Sequence, residues 1–135
     1  MVAAAVLIKD HKILLGKRNY HLANGEVHSV WTYPGGRCDE GEKIEDTLRR
    51  EIKEELDVVG VEISEYIGSI LAPNKTDVVF MFLCHIEDDP KLMEPEKFSE
   101  WRWVLLGEYK KGEPWDSVNP LAHALICDFL KKKNW

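Results

Sequence analysis

Glu51, Glu54 and Glu55 stand almost side by side in "GRCDEGEKIEDTLRREIKEELDV", a stretch from Gly36 to Val58 with nine carboxylates in twenty-three residues. On one helix, at about 100° per residue, Glu55 falls roughly 40° to one side of Glu51 and Glu54 roughly 60° to the other. Like charges at this spacing weaken a helix by about 0.2–0.5 kcal/mol per pair. Arg50, four residues before Glu54, can pair with it. The remaining helical neighbours of Glu51 and Glu55 are Thr47, Leu48, Ile52, Glu54, Val58 and Val59, none of them basic. A solvated acidic face is the plain account of such a run. It explains neither the missing partners nor the aliphatic stripe of Ile44, Leu48, Ile52 and Leu56 along the edge of the same surface. A divalent cation removes the conflict, because Mg²⁺ (or Mn²⁺) takes hard oxygen ligands from a few carboxylates together with substrate phosphates and water.

The flanking residues suit a phosphate ligand. "PGGR" precedes the helix, and Gly35 and Gly36 let backbone approach a ligand closely. Lys17 and Arg18 end an upstream strand at a loop, where they either contact phosphate or form an ordinary solvated pair.

The periodicity of the chain supplies the elements that must hold these groups. Val2–Ile8 and Ile13–Leu15 read as a hairpin pair across "KDHK". "GKRNYHLANGEVHS" reads as a polar loop, "VWTY" as a short strand, and "PGG" as its stop. The acidic helix is expected from about Ile44 to Leu56. "VVGVEISEYIGSILA" reads as strand, turn near Gly60, and strand; "DVVFMFLCHI" and "WRWVLL" are further strands. "NPLAHALICDFLKKK" closes the chain as a helix, with Asn119 and Pro120 as N-cap and first helical residue. Strands enclosing one helix, with a second helix at the end, make an α+β fold: a mixed β-sheet between helices.

A length of 135 residues suggests a single domain. The formal net charge of -6 argues against binding a nucleic acid polymer, which relies on a basic surface. No apolar run reaches the roughly 18 residues of a membrane span, and "MVAAAVLIKD" reads as a strand rather than a signal peptide. Cys38, Cys84 and Cys127 lack zinc spacing and read as reduced thiols of a cytoplasmic protein. The composition leaves a homodimer open.

On these residues the chain resembles a Nudix hydrolase. That family's box is G-x5-E-x7-R-E-U-x-E-E-x-G-U, with U aliphatic. Here it runs Gly36, Glu42, Arg50, Glu51, Ile52, Glu54, Glu55 and Val58; eight of nine defined positions match, and Asp57 stands where the last glycine is expected. The resemblance implies a Nudix α/β/α sandwich over residues 1–135, a Mg²⁺ or Mn²⁺ cofactor, and hydrolysis of a nucleoside diphosphate linked to another moiety. It implies metal binding by Glu51, Glu54, Glu55 and the carbonyl of Gly35, orientation of a catalytic glutamate by Arg50, and a structural bias for Glu42. Glu54 and Glu51 are the implied catalytic carboxylates.

"LLGKR" followed by "W-x-x-PGG" resembles the MutT-type pyrophosphatases of that family, which implies a small-molecule NTP or dNTP substrate, including oxidised forms, cleaved to NMP and pyrophosphate. "EPEKFSEWRWV" resembles a segment of that branch, so Glu94, Glu96 or Glu100 would supply a further metal contact or the base, Glu96 among the substrate-binding candidates with Arg18 and Lys17. "PWDSVNPLAHAL" is similar to the segment where an asparagine reads the base; Asn119 would read it or only cap the helix, and Tyr33 and Trp115 would flank it. Hydrolysis of ADP-ribose or another nucleoside-diphosphate conjugate is the alternative reaction, and a catalytically silent nucleotide-sensing domain the alternative class. The intact Arg50, Glu51, Glu54 and Glu55 weigh against silence.

Overall fold

The computed structural model describes residues 1–115 and 119–135. Its elements run β1 (Val2–Lys9), β2 (Lys12–His21), β3 (Val27–Thr32), β4 (Gly35–Arg37), α1 (Ile44–Leu56), β5 (Glu62–Leu71), β6 (Val78–His85), β7 (Phe98–Leu105), α2 (Leu106–Lys110) and α3 (Pro120–Lys132).

The apolar run "VAAAVLI" makes β1 the centre of the molecule. A strand buried on both faces reads as a continuous apolar run. Ala3, Ala5 and Leu7 face one core, and Ala4 and Val6 face the other. Seven strands form one mixed sheet along the path β3-β2-β1-β6-β5, with β4 paired to β1 and β7 to β2. β1 runs parallel to β6 from Val2↔Val79 to Leu7↔Cys84; the other pairings are antiparallel. Helix α1 covers one face through Leu48, Ile52 and Leu56, all fully buried. Helices α2 and α3 cover the other through Leu106, Tyr109, Ala122, Ile126 and Leu130. The result is the expected α/β/α sandwich of α+β class. Each buried leucine or isoleucine of α1 stabilises by roughly 1.5–3 kcal/mol. That outweighs the few tenths lost per like-charge pair on the same helix.

Four expectations change. The polar segment after Leu15 is not a loop: β2 continues to His21 and pairs with β3 from Gly16↔Thr32 to His21↔Val27. Its outer half is polar and at most half-buried, so backbone ladder bonds define it more than apolar alternation does. Gly35–Arg37, expected to stop a strand, forms the short β4 against β1. The strand–turn–strand of 58–72 is a single strand, β5, preceded by an irregular connection in which Gly60 has φ 73°. α2 was not expected. Among the described residues no helix is long and apolar enough to cross a membrane.

Candidate active site

Helix α1 carries the acidic groups, and its ends set their height. Thr47, fully buried one turn into α1, donates from Oγ1 to Glu42 Oε1 at 2.6 Å. Glu42 also receives the Asp39 N–H and a two-pronged clasp from Arg50, Nε to Oε2 and Nη2 to Oε1, both 2.9 Å. Those donors hold the Glu42 carboxyl well down, at about 2. With its fork fixed, Arg50 directs Nη1 to Glu51 Oε1 at 2.9 Å and lies 3.5 Å from Glu54 Oε1. Glu42 therefore locks Arg50, and Arg50 orients Glu51. Bidentate pairing gives this relay its directionality.

The two glycines before the helix answer to the same carboxylates. Gly35, at φ 150°, donates its N–H to Glu55 Oε1 at 2.9 Å, and a Cβ there would collide with the Ala3 carbonyl. A Cβ at Gly36 would collide with the Glu51 carboxylate. Glu55 has no side-chain exposure, and its Oε2 is buried without a hydrogen bond. Burial pushes its carboxyl up to about 7, against the pull of the Gly35 N–H and of Lys97, with Glu51 and Glu94 adding to the rise. Burial likewise raises Glu51, opposed chiefly by Arg50. Glu54 is the half-exposed member.

These groups open on a cleft of about 510 Å³. Its lining includes Gly35, Gly36, Glu51, Arg18, Arg37 and Lys97, together with Thr32, Tyr33, Ile70, Met81, Asn119 and Ala122. Arg18 packs its guanidinium against Tyr20 and Phe98, 5.1 and 5.5 Å from the ring centres, and its buried Nε has no hydrogen-bond partner. Lys17 does not line the cleft; it stands on β2 opposite Glu100 and Trp31. Tyr33 lines the cleft and shares a 2.7 Å hydrogen bond with the hydroxyl of fully buried Tyr109. Trp115 packs edge-on against Trp31, outside the cleft lining. Asn119 uses both ends of its amide: Oδ1 accepts from the N–H of Leu121 and Ala122, and Nδ2 donates to the Leu71 carbonyl at 3.1 Å. The rest of "PWDSVNP", residues 116–118, lies outside the described residues.

Glu96 is exposed, and Glu100 pairs with Arg102 on β7. Glu94 is the residue of that segment that turns to the site, with its buried Oε1 3.8 Å from Lys97 Nζ. Lys97 was missed as a partner of the acidic helix. It comes from a distant segment to within 3.6 Å of Glu55 Oε2. Its sequence signal is a single lysine inside "EPEKFSEW", a stretch dominated by carboxylates.

Among the described residues no three acidic, histidine or cysteine side chains converge on one point. Arg50 stands between Glu51 and Glu54 and spends its charge on both. The donor set still fits a hard divalent cation. It has the buried, unpartnered Glu55 Oε2, the Glu51 carboxylate seated where Gly36 leaves room, and the half-exposed Glu54.

The NUDIX domain family model matches residues 1–123. The 8-oxo-dGTP diphosphatase of Buchnera aphidicola subsp. Acyrthosiphon pisum is 32% identical over 124 residues, covering 90% of this chain and 94% of that one. The CTP pyrophosphohydrolase of Escherichia coli K12 is 29% identical over 87 residues, 64% of this chain, and the match spans 62% of that protein's length. Among solved structures, a MutT NUDIX hydrolase from Burkholderia pseudomallei superposes with a TM-score of 0.65 at 27% identity, covering 78% of this chain and 82% of that one.

Proposed function

Because this chain belongs to the Nudix family of pyrophosphohydrolases, we propose that it hydrolyses a nucleoside triphosphate, NTP or dNTP and including oxidised bases, to the monophosphate and pyrophosphate with Mg²⁺ or Mn²⁺. The observation that carries this reading is the mixed lining of the cleft. The Glu51 carboxylate and the cationic Arg18, Arg37 and Lys97 line it together with Tyr33, Ile70, Met81 and Ala122. A nucleotide brings the matching chemistries, anionic phosphates and a flat apolar base. The relative matched over nearly its whole length acts on 8-oxo-dGTP, which supports a triphosphate over a sugar-linked diphosphate.

The residues that would hold the cation are Glu51, Glu54, Glu55 and the Gly35 carbonyl. When bound, it neutralises phosphate oxygens and makes a water more acidic. The chain's own groups do the rest. Arg50, locked by Glu42, orients Glu51. Arg18, braced by two rings, offers its unpartnered Nε to phosphate. Glu54, half exposed beside Arg50, accepts the proton of the attacking water as the new P–O bond forms and the anhydride P–O bond breaks. Asn119, with its oxygen and one N–H engaged inside the protein, acts mainly as the cap of α3.

The test is a panel of NTPs, dNTPs, oxidised dNTPs, ADP-ribose and dinucleotides with Mg²⁺, products identified by mass. Monophosphate and pyrophosphate from a triphosphate are expected, with loss under chelator. AMP and ribose phosphate from ADP-ribose, at higher kcat/KM, would replace the triphosphate reading. No turnover of any member would move the chain to the silent class.

A further inference from the structure

Two buried carboxylate oxygens lack a hydrogen bond, Glu55 Oε2 and Glu94 Oε1, and both face one ammonium. Lys97 Nζ lies 3.6 Å from the first and 3.8 Å from the second. These are charge contacts too long for hydrogen bonds. The lysine backbone is pinned while its head is not. Its N–H donates to the Glu94 carbonyl, and its carbonyl accepts from Asn19 on β2, both at 2.9 Å. The side chain keeps 30% exposure, lies 5.7 Å over the Phe98 ring, and lines the cleft with Arg18. A flexible stem on a fixed base lets the ammonium turn between the acidic pocket and the cleft without moving the fold.

We propose that Lys97 is an exchangeable counter-ion. In the metal-free protein it balances Glu55 and Glu94; when a divalent cation takes over Glu55, it turns into the cleft and binds a substrate phosphate. Metal loading then creates part of the anion site. The inference rests on the metal reading above and adds a residue to it. A lysine that faced phosphate at all times would be left with no reason to sit between two buried carboxylates. A purely structural lysine would sit at hydrogen-bond distance from them.

The experiment measures Mn²⁺ affinity by calorimetry or spin resonance without nucleotide, and pyrophosphate affinity with and without Mg²⁺, for the wild type, Lys97→Met, Lys97→Arg and Arg37→Met. Lys97→Met is expected to bind Mn²⁺ about fivefold tighter or more, because the competing charge is gone. It is expected to bind pyrophosphate more weakly with Mg²⁺ present and no more weakly without it. Lys97→Arg, which keeps the charge, should stay near wild type and guards against a folding defect in the methionine variant. Arg37→Met removes an exposed cleft cation paired to Asp77 and controls for net charge. Unchanged or weaker Mn²⁺ binding in Lys97→Met overturns the proposal, as does a gain matched by Arg37→Met. Pyrophosphate binding weakened equally with and without Mg²⁺ also overturns it. Mn²⁺ binding that Glu55→Gln leaves intact would instead overturn the metal assignment, and this inference with it.

Discussion

Burial works against the charge on Glu55, and the consequence is a pH dependence of opposite sign to that of most paired carboxylates. Its folded carboxyl titrates at about 7 against an ordinary 4.5. Between those values the folded chain keeps a proton that the unfolded chain has lost. Stability from this group is therefore complete below the lower value and is lost as pH rises through the upper one. The full loss is on the order of 3 kcal/mol. In chelator, the wild-type melting temperature should fall from pH 5 to pH 8 by more than that of Glu55→Gln, and the variant should be the more stable of the two at pH 8. Parallel curves would mean that the Glu55 carboxyl titrates in the folded chain where it does in the unfolded one. Gly36 acts at the same scale. An alanine there meets the movable end of Glu51 rather than backbone. Gly36→Ala should therefore fold with a melting temperature near wild type yet bind Mn²⁺ roughly 10–100-fold more weakly, as measured by calorimetry.

Helix α1 ends at Asp57 in the left-handed conformation, φ 55°, where glycine is free of strain. Asp57 is held there by Lys53 on its own helix and by Lys91, 3.6 Å away. Left-handed backbone costs a non-glycine residue about 1–2 kcal/mol. Exposed ion pairs return about 0–1 kcal/mol each. The two nearly cancel, so Asp57→Gly should leave the melting temperature within a few degrees of wild type, whereas Asp57→Val, which loses the pairs and keeps the strain, should lower it clearly. The start of α3 gives the other element-scale prediction. Asn119→Asp keeps the cap acceptor but sets a carboxylate oxygen against the Leu71 carbonyl in place of an N–H. Thermal unfolding should show a loss of about 1–3 kcal/mol. The ranking among nucleobases should stay as in wild type; a changed ranking with unchanged melting would place Asn119 in base recognition.

At the scale of the whole molecule the cleft joins both layers of the sandwich. Its lining comes from α1 and β4, from β2 and the segment before β7, and from β5, β6 and α3. A ligand that binds the folded cleft and not the unfolded chain stabilises all of these together, by about 2.7 kcal/mol at a hundred times its dissociation constant. Mg²⁺ should raise the melting temperature, and pyrophosphate added with Mg²⁺ should raise it further. Glu55→Gln should lose most of the Mg²⁺ step, read in a thermal-shift series at fixed ionic strength.

Helix α1 was legible to the residue in the chain itself, because its aliphatic stripe, its first-turn acids and its glutamates are all local in sequence. The same holds for β1, whose apolar run declares burial on both faces, and for the Asn119–Pro120 helix start. Family, fold class and the acidic half of the candidate site follow from such local patterns. What the chain could not show is which distant groups meet them. The β2–β3 ribbon is held by backbone ladder bonds that polar side chains do not announce. Glu94 rather than Glu96 turns inward because the Glu94–Phe98 turn, tied to β2 through Lys97 and Asn19, sets its direction. Lys97 lies 42 residues from Glu55 in the chain and 3.6 Å from it in space. A charge partner of that kind depends on sheet order and register, which are long-range properties, and only the folded chain decides them.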